Sequence, residues 1–180
     1  DASGTAVMLE PRTVTVHPGY DANAVKSRRP SIDLAMLRLA EPLPSAFEPA
    51  SLASANGAGA GQKLSLAGQT LSVAGYGVSI ERDPKTGGRF RAADLGVVEP
   101  YGPSRILVWL SDPALKTSAG KAGSGACSGD SGGPIFGADG SVVALTVWAE
   151  GAGKTGCGAL TQGLLIAPQR SWIDGVMKSW

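Results

Sequence analysis

Apolar residues in this chain come in short runs separated by turn formers, and most runs are too short for a helix. Thr13-Val14-Thr15-Val16 alternates polar and apolar positions, and Ala6-Val7-Met8-Leu9 precedes it as a second strand-like run. Ile32-Asp33-Leu34-Ala35-Met36-Leu37-Arg38-Leu39 is apolar on both faces and stops at Glu41-Pro42-Leu43-Pro44, which predicts a strand buried on both sides. Leu71-Ser72-Val73-Ala74-Gly75-Tyr76-Gly77 and residues 92–99, 105–111 and 164–166 read as further strands. Pro134-Ile135-Phe136 turns through Gly137-Ala138-Asp139-Gly140 into Ser141-Val142-Val143-Ala144-Leu145-Thr146-Val147-Trp148, which reads as a hairpin. Only the end of the chain carries helical spacing, at Trp172, Ile173, Val176 and Met177. The pattern predicts an all-β chain closed by one short amphipathic helix.

The connections refine this picture. Pro18-Gly19 is a turn, and Lys26-Ser27-Arg28-Arg29-Pro30 is a solvated basic loop. Residues 51–62 are low in complexity and read as a link between two halves, 1–62 and 63–180. Residues 82–91 form a hairpin tip, and residues 117–126 form a loop of Ser, Ala, Gly and Lys. The 26 glycines among 180 residues suit short strands and tight turns. Sixteen Lys and Arg against 15 Asp and Glu leave a net charge of +1, so nucleic acid and membrane surfaces are not expected partners. No apolar run reaches the ~18 residues of a membrane-spanning helix. A chain starting at Asp1 is expected to be a mature, trimmed or processed form.

The chemistry concentrates at residues 125–136, Gly-Ala-Cys-Ser-Gly-Asp-Ser-Gly-Gly-Pro-Ile-Phe. A serine hydroxyl is a weak nucleophile and needs a base at its oxygen and donors aimed at the oxyanion that forms. Gly129, two residues before Ser131, lets the backbone aim its own N–H and that of Ser131 at one point. The run also fits a Gly-x-Ser-x-Gly nucleophile elbow, but that arrangement places its histidine after the serine. The only histidine here is His17, and the strands lack alternating long helices. The order that remains is histidine, aspartate, serine.

In that order the chain resembles the chymotrypsin-like serine proteases over essentially its whole length. Cys127-Ser128-Gly129-Asp130-Ser131-Gly132-Gly133-Pro134 is similar to the family's nucleophile signature. Ile32-Asp33-Leu34-Ala35 resembles the strand that carries its triad aspartate. Val16-His17-Pro18-Gly19-Tyr20-Asp21 resembles a His-Pro-aromatic turn before that strand. Gly75-Tyr76-Gly77 stands where the family has Gly-Trp-Gly, Val147-Trp148-Ala149 resembles the strand that pairs with substrate, and Trp172-Ile173 falls in its C-terminal helix.

The resemblance implies a double six-stranded antiparallel β-barrel of the chymotrypsin type, here with an incomplete first barrel and a short C-terminal helix. It implies a secreted or periplasmic serine endopeptidase that cuts polypeptides through an acyl-enzyme, with no cofactor and no metal. Ser131 would be the nucleophile, Asp33 the triad aspartate, and the Gly129 and Ser131 amides the oxyanion hole. Gly125, Ala126, Ser128, Val147, Trp148, Ala149 and Gly163 would contact substrate, and Gly125 at the pocket floor predicts apolar specificity. Cys127 and Cys157 would form a disulfide. Asp33 and Ser131 lie close to the family's spacing of roughly 93 residues, but counting about 45 residues back from Asp33 to the histidine runs past Asp1. His17 matches the later turn instead. The expected base therefore lies outside these 180 residues, on an N-terminal fragment of the same precursor or on a segment removed from it. So does the new N-terminal amine that pairs with Asp130 in this family. The competing reading is a catalytically inactive homologue that acts as a binding module.

Overall fold

The computed structural model describes residues 9–27, 29–54, 66–98, 105–115, 123–151 and 155–180. Among the described residues, two sheets account for the strands. β1 (Pro11–Val16) and β2 (Ala35–Leu39) form a two-stranded antiparallel ribbon, joined through a one-turn helix, α1 (Ala24–Ser27). β3 (Thr70–Gly75), β4 (Arg91–Val97), β5 (Leu107–Ser111), β6 (Pro134–Phe136), β7 (Val142–Gly151) and β8 (Gly158–Leu165) close a barrel in the order β3-β4-β5-β8-β7-β6. Helix α2 (Arg170–Ser179) ends the chain. The fold is that of the chymotrypsin type: mostly β, with a closed six-stranded barrel, a short C-terminal helix and, among the described residues before the barrel, a two-stranded ribbon.

Alternation along the strands builds the barrel core. Leu71 and Val73 point inward from β3, Leu95 from β4, Val108 and Leu110 from β5, and Ile135 from β6. Between the two inward residues of β3, Ser72 faces out and its hydroxyl donates to Asp94 on β4. Burying each such Leu, Ile or Val contributes about 1.5–3 kcal/mol before entropy is counted. A second cluster lies on the barrel's outer surface. There Leu34 packs with Leu107, Val142, Leu164, Ile166 and Ile173, with Ile32, Met36 and Trp172 at its edge. This cluster seats both the ribbon and α2 on the barrel.

The expectation of a strand over 32–39 buried on both sides is corrected. The strand runs only from Ala35 to Leu39, and one of its faces is bare. Val14 opposes Leu37 and Val16 opposes Ala35 across the ribbon, with Val14, Val16 and Leu37 53%, 52% and 60% exposed. Two strands offer a single covered face, and Met36 and Leu34 use it against the barrel. A ribbon of two strands is marginal alone. Here it is held by the second cluster and by the His17 N–H donating to the Leu34 carbonyl at 2.9 Å.

The hairpin at 134–148 forms as predicted. The Asp139 carboxylate accepts from the Ser141 N–H at 3.0 Å and its hydroxyl at 2.7 Å, and Gly140 takes φ +77°. These Ser141 donors hold the Asp139 carboxyl below its ordinary pKa. β8 begins at Gly158, six residues before the predicted run, because Gly, Thr and Gln interrupt its apolar pattern. Most of the 51–62 link lies outside the described residues, as do Ala6 to Met8 and most of the 117–126 loop. Ser51 to Ala53 are fastened to β7: the Val142 N–H donates to Ser51 O at 2.8 Å and the Ala53 N–H to Val142 O at 3.0 Å.

Candidate active site

Ser131 is exposed on the loop between Cys127 and β6. The loop is built by its own backbone: Asp130 N–H donates to Cys127 O at 3.1 Å, and Gly133 N–H to Asp130 O at 2.9 Å. It is stitched to β7, where Gly132 N–H donates to Thr146 O at 2.7 Å and Thr146 N–H to Gly133 O at 2.9 Å. Gly129 has φ +92° and Gly132 φ +80°, the left-handed region that side chains avoid. The left-handed bend before Ser131 is what turns the loop sharply enough to present the hydroxyl.

Asp130 anchors the loop from beneath. Its half-buried carboxylate accepts from Gly77 N–H at 2.7 Å through Oδ1 and from Cys127 N–H at 2.9 Å through Oδ2. A Cβ on Gly75 or Gly77 would overlap this carboxylate, which explains the Gly-Tyr-Gly pattern. Val78 N–H donates to Ser128 O at 2.9 Å, so two hydrogen bonds tie the 75–78 segment to the Ser131 loop.

Two cavities are lined by residues named from the sequence. The first, about 500 Å³, is lined by Asp33, Val147 and Trp148 together with residues 20–22, 24 and 29–31. The second, about 320 Å³, is lined by Gly125, Ala126, Cys127, Asp130, Cys157 and Gly158. Asp130 borders the second, while Gly132 is tied to the strand position just before Val147. Asp33 is exposed between Ile32 and Leu34, whose side chains turn into the second apolar cluster and leave the carboxylate facing the cleft.

Other positions named from the sequence fall in different places. Gly125 lies against Thr161 and Gly158, so any side chain there would press on the Thr161 hydroxyl. Ala126 is buried, and its N–H donates to Thr161 Oγ1 at 2.9 Å. Ser128 is exposed, and Ala149 packs against the barrel core. Gly163 is not with this group: it sits in the barrel wall against Ile135, Ala144 and Val108. The pocket wall beside Gly125 is instead Gly158, which has φ +88°. Neither Gly158 nor Thr161 was singled out by the sequence. The one available signal for Gly158 was a glycine directly after Cys157. Cys127 and Cys157 are joined by a disulfide with Cα atoms 5.1 Å apart, closing a loop of sequence separation 30.

His17 is occupied elsewhere. Its Nδ1 accepts from Gly19 N–H at 3.0 Å, and its ring lies 4.7 Å from that of Trp172 on α2. Partial burial lowers its pKa below the ordinary value. Asp112 braces the approach to the pocket: its carboxylate accepts from Ser124 N–H and Ala114 N–H, both at 2.8 Å, which lowers its pKa. Among the described residues, no group of three or more His, Cys, Asp and Glu is arranged to hold a metal ion.

Comparison with known proteins fits this arrangement. No curated protein matches the sequence. The chain is similar in structure to human heparin binding protein, with a TM-score of 0.70 at 22% identity, covering 94% of this chain and 66% of that one. It is similar to mouse neuropsin, described as a serine protease expressed in the limbic system, with a TM-score of 0.68 at 19% identity over 94% and 71% of the chains. It is also similar to a scabies mite inactivated protease paralogue, with a TM-score of 0.64 at 21% identity over 94% and 68%. The chain thus spans about two thirds of the length of these structures. The family profile described as Trypsin matches residues 3–170. With the closed barrel and the Cys127–Cys157 disulfide, that match shows that the chain belongs to the trypsin family.

Proposed function

We propose that the chain is the nucleophile-bearing part of a secreted or periplasmic serine endopeptidase, completed by a histidine from polypeptide outside these 180 residues. The observation that carries this reading is the construction of the Ser131 loop: an exposed hydroxyl behind a left-handed glycine, on a turn anchored at Asp130 and stitched to β7. Gly75 and Gly77 are kept clear for the half-buried Asp130 carboxylate that holds this turn in place. In the proposed reaction Ser131 Oγ attacks the substrate carbonyl and its proton passes to the incoming imidazole. The Gly129 and Ser131 amides receive the oxyanion. The imidazolium then protonates the leaving amine, and water resolves the acyl-enzyme. Asp33, exposed toward the cleft, orients the imidazole. Gly125, Ala126 and Gly158 bring no charge to their cavity, and its two charged residues are engaged, Asp130 by the Gly77 and Cys127 N–H groups and Arg91 by the Gly77 and Thr86 carbonyls, which favours Phe, Tyr, Leu or Met before the cut.

The second reading, a binding module on a protease frame, is favoured by one observation: the single histidine is held by Gly19 and Trp172. Fold alone does not decide between the two, since the matched structures include both a serine protease and an inactivated paralogue. Chemical rescue separates them. A fluorophosphonate probe is incubated with the chain, and the adduct at Ser131 is followed by intact mass with and without free imidazole. Slow labelling alone, accelerated by imidazole and abolished in Ser131→Ala, supports the endopeptidase. No labelling with imidazole supports the binding module. Rapid labelling without imidazole would refute the absence of a base. The same mass spectrum reveals any small companion peptide.

A further inference from the structure

Arg91 opens β4 and opposes Gly75 on β3, so its side chain starts beside the segment that anchors the Ser131 loop. It is half-buried and lines the same cavity as Gly125 and Asp130. Among the described residues it has no carboxylate partner. Its N–H groups go to backbone carbonyls instead. Nη2–H donates to Thr86 O at 2.7 Å, and Nη1–H donates to Arg89 O at 3.3 Å and to Gly77 O at 3.0 Å. The bonds to Thr86 and Arg89 close the hairpin between β3 and β4. The bond to Gly77 reaches the Ser131 loop.

The Gly77 carbonyl shares a peptide unit with the Val78 N–H, which donates to Ser128 O at 2.9 Å. The Ser128 carbonyl in turn shares a peptide unit with the Gly129 N–H. A trans peptide points its C=O and N–H in opposite directions. Holding Ser128 O on Val78 therefore aims the Gly129 N–H away from the 75–78 segment. Turning that peptide over would set the Gly129 and Val78 N–H groups against each other. The two segments run close, since a Cβ on Gly129 would meet Gly77 Cα at 3.2 Å. Among the described residues neither the Gly129 nor the Ser131 N–H has an acceptor, and both residues are exposed. Arg91 is thus joined to an open amide donor through two peptide units. Each hydrogen bond in such a row polarises the next. The charge at its head, which arginine does not give up, strengthens the first bond.

We propose that Arg91 is a positioning residue for the oxyanion site. It holds and polarises the Gly77–Val78 and Ser128–Gly129 peptides so that the Gly129 N–H faces the developing charge. The proposal rests on the peptidase reading for the oxyanion, but the row of bonds is testable without catalysis. A guanidinium that served the hairpin alone would leave Val78 and Gly129 unchanged when replaced.

The test compares wild type with Arg91→Gln, which keeps an N–H donor and loses the charge, and Arg91→Lys, which keeps the charge. Thermal melting confirms that each folds. Amide hydrogen exchange by NMR is read at Val78, with Thr146 as the reference amide. Val78 should exchange at least about tenfold faster in Arg91→Gln, as expected for a weakened bond in a charge-assisted row, and within about threefold of wild type in Arg91→Lys. Thr146 should not change. The second readout is imidazole-assisted fluorophosphonate labelling of Ser131, in which the phosphoryl oxygen of the probe takes the oxyanion's place. Losing an oxyanion donor outright costs about 10²–10³-fold. A misdirected one should slow Arg91→Gln by about tenfold, with Arg91→Lys within about threefold of wild type. Unchanged Val78 exchange or unchanged labelling in Arg91→Gln, or a lysine variant as impaired as the glutamine one, would overturn the proposal. Should Arg91→Gln not fold, Arg91→Lys decides: near-wild-type behaviour supports the proposal, and a tenfold change in either readout refutes it. If wild type is not labelled even with imidazole, the peptidase reading fails and Val78 exchange alone judges the row, so the two readings fail separately.

Discussion

Asp130→Ala tests whether the Ser131 loop is held from beneath. The carboxylate takes one hydrogen bond from Gly77 N–H at 2.7 Å and one from Cys127 N–H at 2.9 Å. A hydrogen bond to a charged group contributes about 1.5–3 kcal/mol. Asp130 is only half-buried and water can reach some of the vacated space, so the two bonds together are discounted to about 2–4 kcal/mol. In urea, with a slope of about 2 kcal/mol/M, the unfolding midpoint should fall by about 1–2 M. Asp130→Asn should fall between wild type and Ala, since the carboxamide keeps one acceptor and turns an N–H₂ toward the other donor. Amide hydrogen exchange gives the local readout: Gly77 and Cys127 should exchange much faster in Asp130→Ala than in Ser131→Ala. If Asp130→Ala unfolds within about 0.3 M of wild type with both amides still protected, the loop is held by something else and the reasoning fails.

Other consequences follow from the same geometry. Thr161→Val leaves the buried Ala126 N–H without its acceptor, at a cost of about 1–3 kcal/mol. The melting temperature should drop by about 3–10 °C, with recovery in Thr161→Ser, and equal melting of Val and wild type would count against it. Reducing the Cys127–Cys157 disulfide reopens a loop of separation 30, worth about 3–4 kcal/mol in the chain-entropy model; calorimetry with and without dithiothreitol measures this, and an unchanged transition would rule it out. His17 has a lowered pKa in the folded chain, so the unfolded state binds its proton more readily. The His17 contribution to stability is therefore complete above the ordinary pKa near 6.5 and is lost as pH falls through the lower folded value. Melting temperatures measured from pH 7.5 to 5 should show this slope, and His17→Gln should flatten it; an identical slope in the variant would contradict the assignment.

Much of the site is legible along the chain because its parts are local. The turn at Ser131 needs glycines at set offsets, and Gly129 and Gly132 record that need in consecutive letters. The 134–148 hairpin is equally readable, since Asp139 and Gly140 are turn chemistry flanked by apolar runs. Gly75 and Gly77 were visible as a pattern, but their cause was not. They are cleared for Asp130, which approaches from more than fifty positions away.

The misplaced and missed residues share one physical reason. Gly163 and Gly158 are both glycines of β8, and only the pairing of β8 with β5 and β7 shows that one faces the barrel core while the other borders Gly125. Thr161 acts through a hydroxyl that reaches across to Ala126, and nothing near it in sequence announces an acceptor. Burial of the 32–39 run was misjudged because apolar residues on both faces record what a strand can bury, not how many layers cover it. In the described chain Leu34 and Met36 find the barrel, while Val14, Val16 and Leu37 face solvent.

The sequence by itself determined the glycine-framed turn at Ser131, the strand-rich class and the terminal helix, because each depends on a few neighbouring residues and their spacing. Tertiary structure alone decided that Asp130 is held by two backbone amides, that His17 is spent on Gly19 and Trp172, and that Arg91 reaches the Gly77 carbonyl. Those outcomes depend on register and closure of the barrel, which bring distant segments within bonding distance.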